Sequence, residues 1–66
     1  MKLDLDRLYD LMVAAEMSFD ELSEKTGISR TTLYRIRRNP SDIKLCYIDT
    51  LADLFGIDPF RLLKRR

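Results

Sequence analysis

The stretch Ser29–Arg38 carries four arginines, two threonines and a tyrosine, with no carboxylate among them. At the helical step of about 100° per residue, Leu33 and Ile36 fall together while Arg30, Thr31, Tyr34, Arg35 and Arg38 cluster on the other side. One face is apolar and packs. The other is cationic, rich in hydrogen-bond donors, and has the dimensions of a rod that enters the major groove of duplex DNA. There arginine reaches guanine edges bidentately and threonine meets a thymine methyl or accepts a hydrogen bond. Arg30, Thr31, Tyr34 and Arg35 are therefore the candidate base contacts. Ser29, Arg37, Arg38, Asn39 and Lys44 are the candidate phosphate contacts that set register. Ser41, in the same connection as Asn39 and Lys44, is a further candidate phosphate ligand, and Asn39 and Ser41 have a second reading, as turn residues satisfying their own backbone.

Other chemistries find little support. Histidine is absent and Cys46 is the single cysteine, so the usual zinc spacings are missing and no metal is expected. Cys46 reads as a small buried or half-buried hydrophobe. The carboxylate pairs Asp6 with Asp10 and Asp20 with Glu24 stand one helical turn apart, a spacing that suits a catalytic pair but more often marks a solvated face. No Gly-rich phosphate loop and no nucleophile beside a base is present, and 66 residues leave little volume for a pocket. The expectation is a binding protein, not an enzyme, with no cofactor and no small-molecule ligand.

The elements that position the cationic stretch are marked by their ends. Ser18 with Glu21 has capping-box spacing, and Met17 with Leu22 has the spacing of a hydrophobic staple. Ser29 caps the next helix, with Ile28 and Leu33 as its staple, and Gly27 between them supplies the left-handed residue that closes the first. Two helices separated by so short a turn must cross steeply. Ahead of this pair, Asp4 caps a first helix over Leu5–Ala15, whose Leu5, Leu8, Met12 and Ala15 form an apolar stripe with Leu11 beside it. The third helix ends by Arg38, because Asn39 precedes Pro40. A fourth helix is expected over Cys46–Phe55, with Ile48, Leu51, Ala52 and Phe55 inward and Gly56 as its stop. A fifth opens with Asp58 as cap and Pro59 at its first position. Lys64, Arg65 and Arg66 would then oppose the negative end of that helix.

The segment Ser18–Arg38 resembles the helix-turn-helix of the phage repressor and Cro family (XRE-like). Small Ser23 stands where two helix backbones approach, Gly27 lies in the turn, and Leu33 and Ile36 lie beneath the recognition helix. The likeness extends over most of the chain, to a closing FGIDPFRLL similar to the usual family ending. It implies an all-α, lambda-repressor-like domain of five helices. It also implies a transcriptional regulator, repressor or Cro-like, acting on a double-stranded DNA operator. Two positions depart from the pattern. Phe19 stands where the family often has a polar residue, commonly glutamine, that helps hold a phosphate, and Leu45 stands where a proline often follows the basic residue before helix four.

Length and charge agree with one domain over residues 1–66, its helix-turn-helix at about 18–38. A chain this short buries only about 60% of the surface its unfolded form exposes. Residues 1–28 carry three basic and seven acidic side chains, net −4, whereas residues 29–66 carry nine and four, net +5. A docking side that attracts phosphate and an acidic side turned from it would divide the charge in this way. No apolar run nears the roughly 20 residues of a membrane span, and a cytoplasmic location is expected. Leu54, Phe60, Leu62 and Leu63 offer more apolar surface than one helix pair covers. By the resemblance, Leu54, Phe60 and Leu62 are the candidate contacts of a homodimer, formed in solution or only on DNA, that grips a palindromic operator. The competing assignment is closure of the core, which Phe60 and Leu63 fit. The alternative to a DNA reader is a protein-interaction module on the same fold, antirepressor or antitoxin-like, motivated by the acidic first helix and the apolar C-terminal set.

Overall fold

The computed structural model describes residues 2–64. It contains a short strand β1 (Lys2–Leu3), then helices α1 (Leu5–Ala14), α2 (Phe19–Thr26), α3 (Arg30–Arg38) and α4 (Leu45–Phe55). A second strand, β2 (Leu63–Lys64), follows. One 3-10 turn, Pro40–Asp42, links α3 to α4, and another, Pro59–Leu62, leads into β2.

The starts are where the cap residues place them. The Asp4 carboxylate accepts from the Arg7 amide at 3.1 Å, Ser18 Oγ from Glu21 at 3.2 Å and Ser29 Oγ from Thr32 at 3.2 Å. Each bond satisfies one of the amides that a helix N-terminus leaves open. Two stops use glycine: Gly27 has φ +76° and Gly56 φ +67°, both left-handed. The third stop uses Glu16 at φ +52°. Met17 donates back to the Met12 carbonyl at 2.9 Å and Glu16 to Val13 at 3.0 Å, the Schellman pattern.

Among the described residues the expected fifth helix is absent, and there are four α-helices. Asp58 and Pro59 do start a helical turn, with the Asp58 carboxylate accepting from the Phe60 amide at 2.9 Å. That turn stops after four residues because its last carbonyl is captured elsewhere: Leu62 O accepts from the Asp4 amide at 2.8 Å. The chain then extends and pairs antiparallel with β1, Leu3 opposite Leu63 and Lys2 opposite Lys64. Lys64 thus lies in a strand and not at a helix end, while Arg65 and Arg66 are outside the described residues.

One apolar core gathers every element. Leu3, Leu8, Leu22, Ile48, Leu51 and Leu62 are its fully buried large side chains, with Met12, Ile28, Leu33, Ile36, Ile43 and Ala52 around them. Three expectations change here. Ala15, the residue after α1, is exposed. Leu62 is 0% exposed, so it is a core residue and not a dimer contact. Phe60 is 79% exposed and does not close the core, a role left to Leu62 and to half-buried Leu63. The 3-10 turn explains the exchange, since it aims Leu62 inward and leaves Phe60 outside. Cys46 is exposed as well, on the side of α4 away from Ile48, Leu51 and Ala52. No helix among the described residues is long and apolar enough to cross a membrane.

Candidate nucleic-acid interface

The turn between α2 and α3 is held by side-chain hydroxyls as well as by Gly27. Ser23 Oγ donates to the Ile28 carbonyl at 2.6 Å, tying α2 to the residue that precedes the next cap. Thr26 Oγ1 donates to the Leu22 carbonyl at 2.6 Å and accepts from the Ile28 amide at 3.2 Å. The polar groups that a sharp reversal would strand are thereby partnered. Ile28 is buried, and Leu33 and Ile36 anchor α3 by its apolar face.

With that face fixed, the other one points to solvent. Arg30, Thr31, Tyr34, Arg35, Arg37 and Arg38 are all exposed, as are Ser29 and Asn39 at the two ends of α3 and Lys44 at the start of α4. The nine sequence-derived contact residues are all exposed, on α3, at its two ends and at the start of α4, and none is withdrawn into the core.

They are not equally free. Arg30 Nη1 lies 3.3 Å from Asp20 Oδ1 across the α2–α3 pair, with side chains 65% and 68% exposed. A solvated pair of this kind is worth about 0–1 kcal/mol, so a phosphate or a base edge can compete for the guanidinium. Ser29 Oγ donates to Thr32 Oγ1 at 2.8 Å in addition to capping α3. Tyr34, 40% exposed, meets the Phe19 ring edge-on at 5.5 Å, and the Arg37 guanidinium lies over both rings.

Beside Arg35 the surface dips into an open cleft of about 270 Å³ between α3 and the start of α4, lined by Thr32, Arg35, Ile36, Asp42, Lys44 and Tyr47. It brings Arg35 and Lys44 to one hollow although they belong to different elements. Thr32, Asp42 and Tyr47 are not evident from the sequence as members of this cleft. Tyr47 carries no local signal, because its place depends on how the irregular segment 39–44 returns α4 to α3. Phe19 departs from the family pattern, but a bare sequence does not show which rings will meet.

A helix pair closed by a left-handed glycine, its second member cationic and turned to solvent, defines a helix-turn-helix DNA-binding domain. The family model of the Cro/C1-type HTH DNA-binding domain matches residues 7–65, and the protein belongs to that family of DNA-binding transcription regulators. No curated protein and no solved structure shows significant similarity to the chain.

Proposed function

We propose that the chain is a single repressor or Cro-like domain that reads a specific duplex operator by laying α3 in the major groove. Arg30, Thr31, Tyr34 and Arg35 contact base edges. Ser29, Arg37, Arg38, Asn39 and Lys44 grip the flanking phosphates and fix register. The observation that carries this reading is the exposure of four arginines on a helix with no carboxylate of its own, anchored from behind by Leu33 and Ile36.

One copy of so small a module discriminates weakly. Two copies on half-sites one turn apart, about 10 base pairs, supply usable affinity, and they make the operator palindromic. Half-buried Leu54 and exposed Phe60 supply the contact between copies. Phe60, a large ring in water with no need to be there for packing, is the feature that favours this end.

Selection of bound sequences from a random duplex pool, followed by titration of the best site across salt concentrations, tests the reading. A single enriched half-site repeated in inverted orientation is expected. Arg37, Arg38 and Lys44 predict a slope of log K against log salt of about −2 to −3 per protomer. No enrichment together with a flat salt response would replace this proposal with a protein-binding module on the same fold.

A further inference from the structure

The Phe19 ring, at the first position of α2, is half-buried and lies between two others. Tyr9 of α1 is 6.1 Å away, tilted by 41°, and Tyr34 of α3 is 5.5 Å away and edge-on at 83°. Over this group sits Arg37, its guanidinium carbon 4.9 Å from the Tyr34 centroid and 5.7 Å from that of Phe19. Both distances fall inside the roughly 6 Å at which a cation is drawn to an aromatic face. Three helices thus contribute to one aromatic cluster that ends in a cation.

Arg37 follows Leu33 by four residues, so it stands on the flank of α3 that leads back to α2 and not at the crest where Thr31 and Arg35 lie. From there it faces the wall of a groove, the phosphate backbone, and not its floor. Among the described residues the guanidinium that is ion-paired to protein belongs to Arg30, and the donors of Arg37 are left for an external acceptor. An arginine loses the freedom of several torsions when it docks. Stacking in the free protein takes part of that loss before binding.

We infer that Phe19 is a positioning residue for DNA binding: together with Tyr34 it holds the Arg37 guanidinium within cation–π distance of two rings, so that Arg37 meets a backbone phosphate as a pre-ordered donor. The inference rests on the reading of α3 as the DNA-binding helix. It assigns to an apolar residue with no polar atom in its side chain a share in affinity that is independent of sequence.

Two measurements separate this from a packing role. In the free protein, the Arg37 side-chain protons should resonate upfield of random-coil positions because of the ring currents, and should return towards them in Phe19→Leu but not in Phe19→Tyr. On the selected operator, Phe19→Leu and Arg37→Lys should each weaken binding roughly two- to fivefold, the worth of an exposed cation–π contact. Phe19→Tyr should bind as the wild type does, and the double variant Phe19→Leu/Arg37→Lys should be no weaker than Arg37→Lys alone. Unshifted Arg37 protons in the wild type, additive losses in the double variant, or an Arg37→Lys protein that binds undiminished would each overturn the positioning role. Arg37 is exposed, so the wild-type proton shifts and the affinity of Arg37→Lys can still overturn the role where Phe19→Leu does not fold. A wild-type chain that shows the shift and binds no duplex would instead overturn the DNA-binding reading, and with it the delivery of Arg37, while the stack itself stands.

Discussion

Arginines on the outward face of α3 are alike in charge but not in surroundings, and their substitutions should differ accordingly. Arg35, on the crest beside the cleft, is expected on replacement by alanine to lose about 1–3 kcal/mol of operator affinity and to relax preference at one base position, measured by competition between operator variants. Arg38→Ala should weaken all duplexes alike and reduce the salt slope by about one. Arg30 is held by Asp20, and the sequence did not disclose that restraint: residues ten apart meet only because α2 and α3 cross. Replacing Asp20 with asparagine should raise DNA affinity, since it removes a competing anion from the docking side. Thermal stability should change by no more than about 0.5 kcal/mol, because the pair is solvated. An unchanged affinity in Asp20→Asn would show that the pair does not restrain Arg30 from the DNA.

At the level of elements, what the sequence disclosed was whatever local chemistry decides alone. The caps Asp4, Ser18, Ser29 and Asp58 each accept the amide that their spacing implies, and Gly27 and Gly56 take the left-handed conformation that their position demands. The cationic and apolar sides of α3 separate as the helical period requires. Two features stayed hidden for one reason, that partners distant in the chain decide them. The turn after Pro59 fails to become a helix because Asp4 takes the Leu62 carbonyl, and α1 ends at a glutamate because Met17 folds back on Met12. The second case yields a prediction. An L-residue in the left-handed region is strained by roughly 1 kcal/mol, whereas glycine is at ease there. Glu16→Gly, at an exposed position, should therefore be neutral or raise the unfolding free energy by up to about 1 kcal/mol in urea titrations. A loss of more than that would mean that the glutamate side chain contributes something its exposure conceals.

At the scale of the molecule, stability rests on a core of twelve buried apolar residues among those described, from Leu3 to Leu62. A protein of this length is expected to have about 3–10 kcal/mol in hand, and a leucine-to-alanine change at a fully buried site removes about 2–5 kcal/mol. Leu62→Ala should accordingly lower the unfolding free energy by about 2–5 kcal/mol in urea titrations followed by circular dichroism. Phe60→Ser should leave the melting temperature unchanged, because its ring lies almost wholly in water. The division of charge between the two halves of the chain was legible without coordinates. The exchange of roles between Phe60 and Leu62 was not, since it follows from a turn that is 3-10 rather than α. The antiparallel clasp of β1 with β2 joins opposite extremities of the described chain, and closing so large a loop is entropically the dearest contact to make early. It should therefore form after the rate-limiting barrier has been crossed. In stopped-flow chevrons, weakening the clasp at Leu3 or Leu63 should speed escape from the native state and barely slow arrival there.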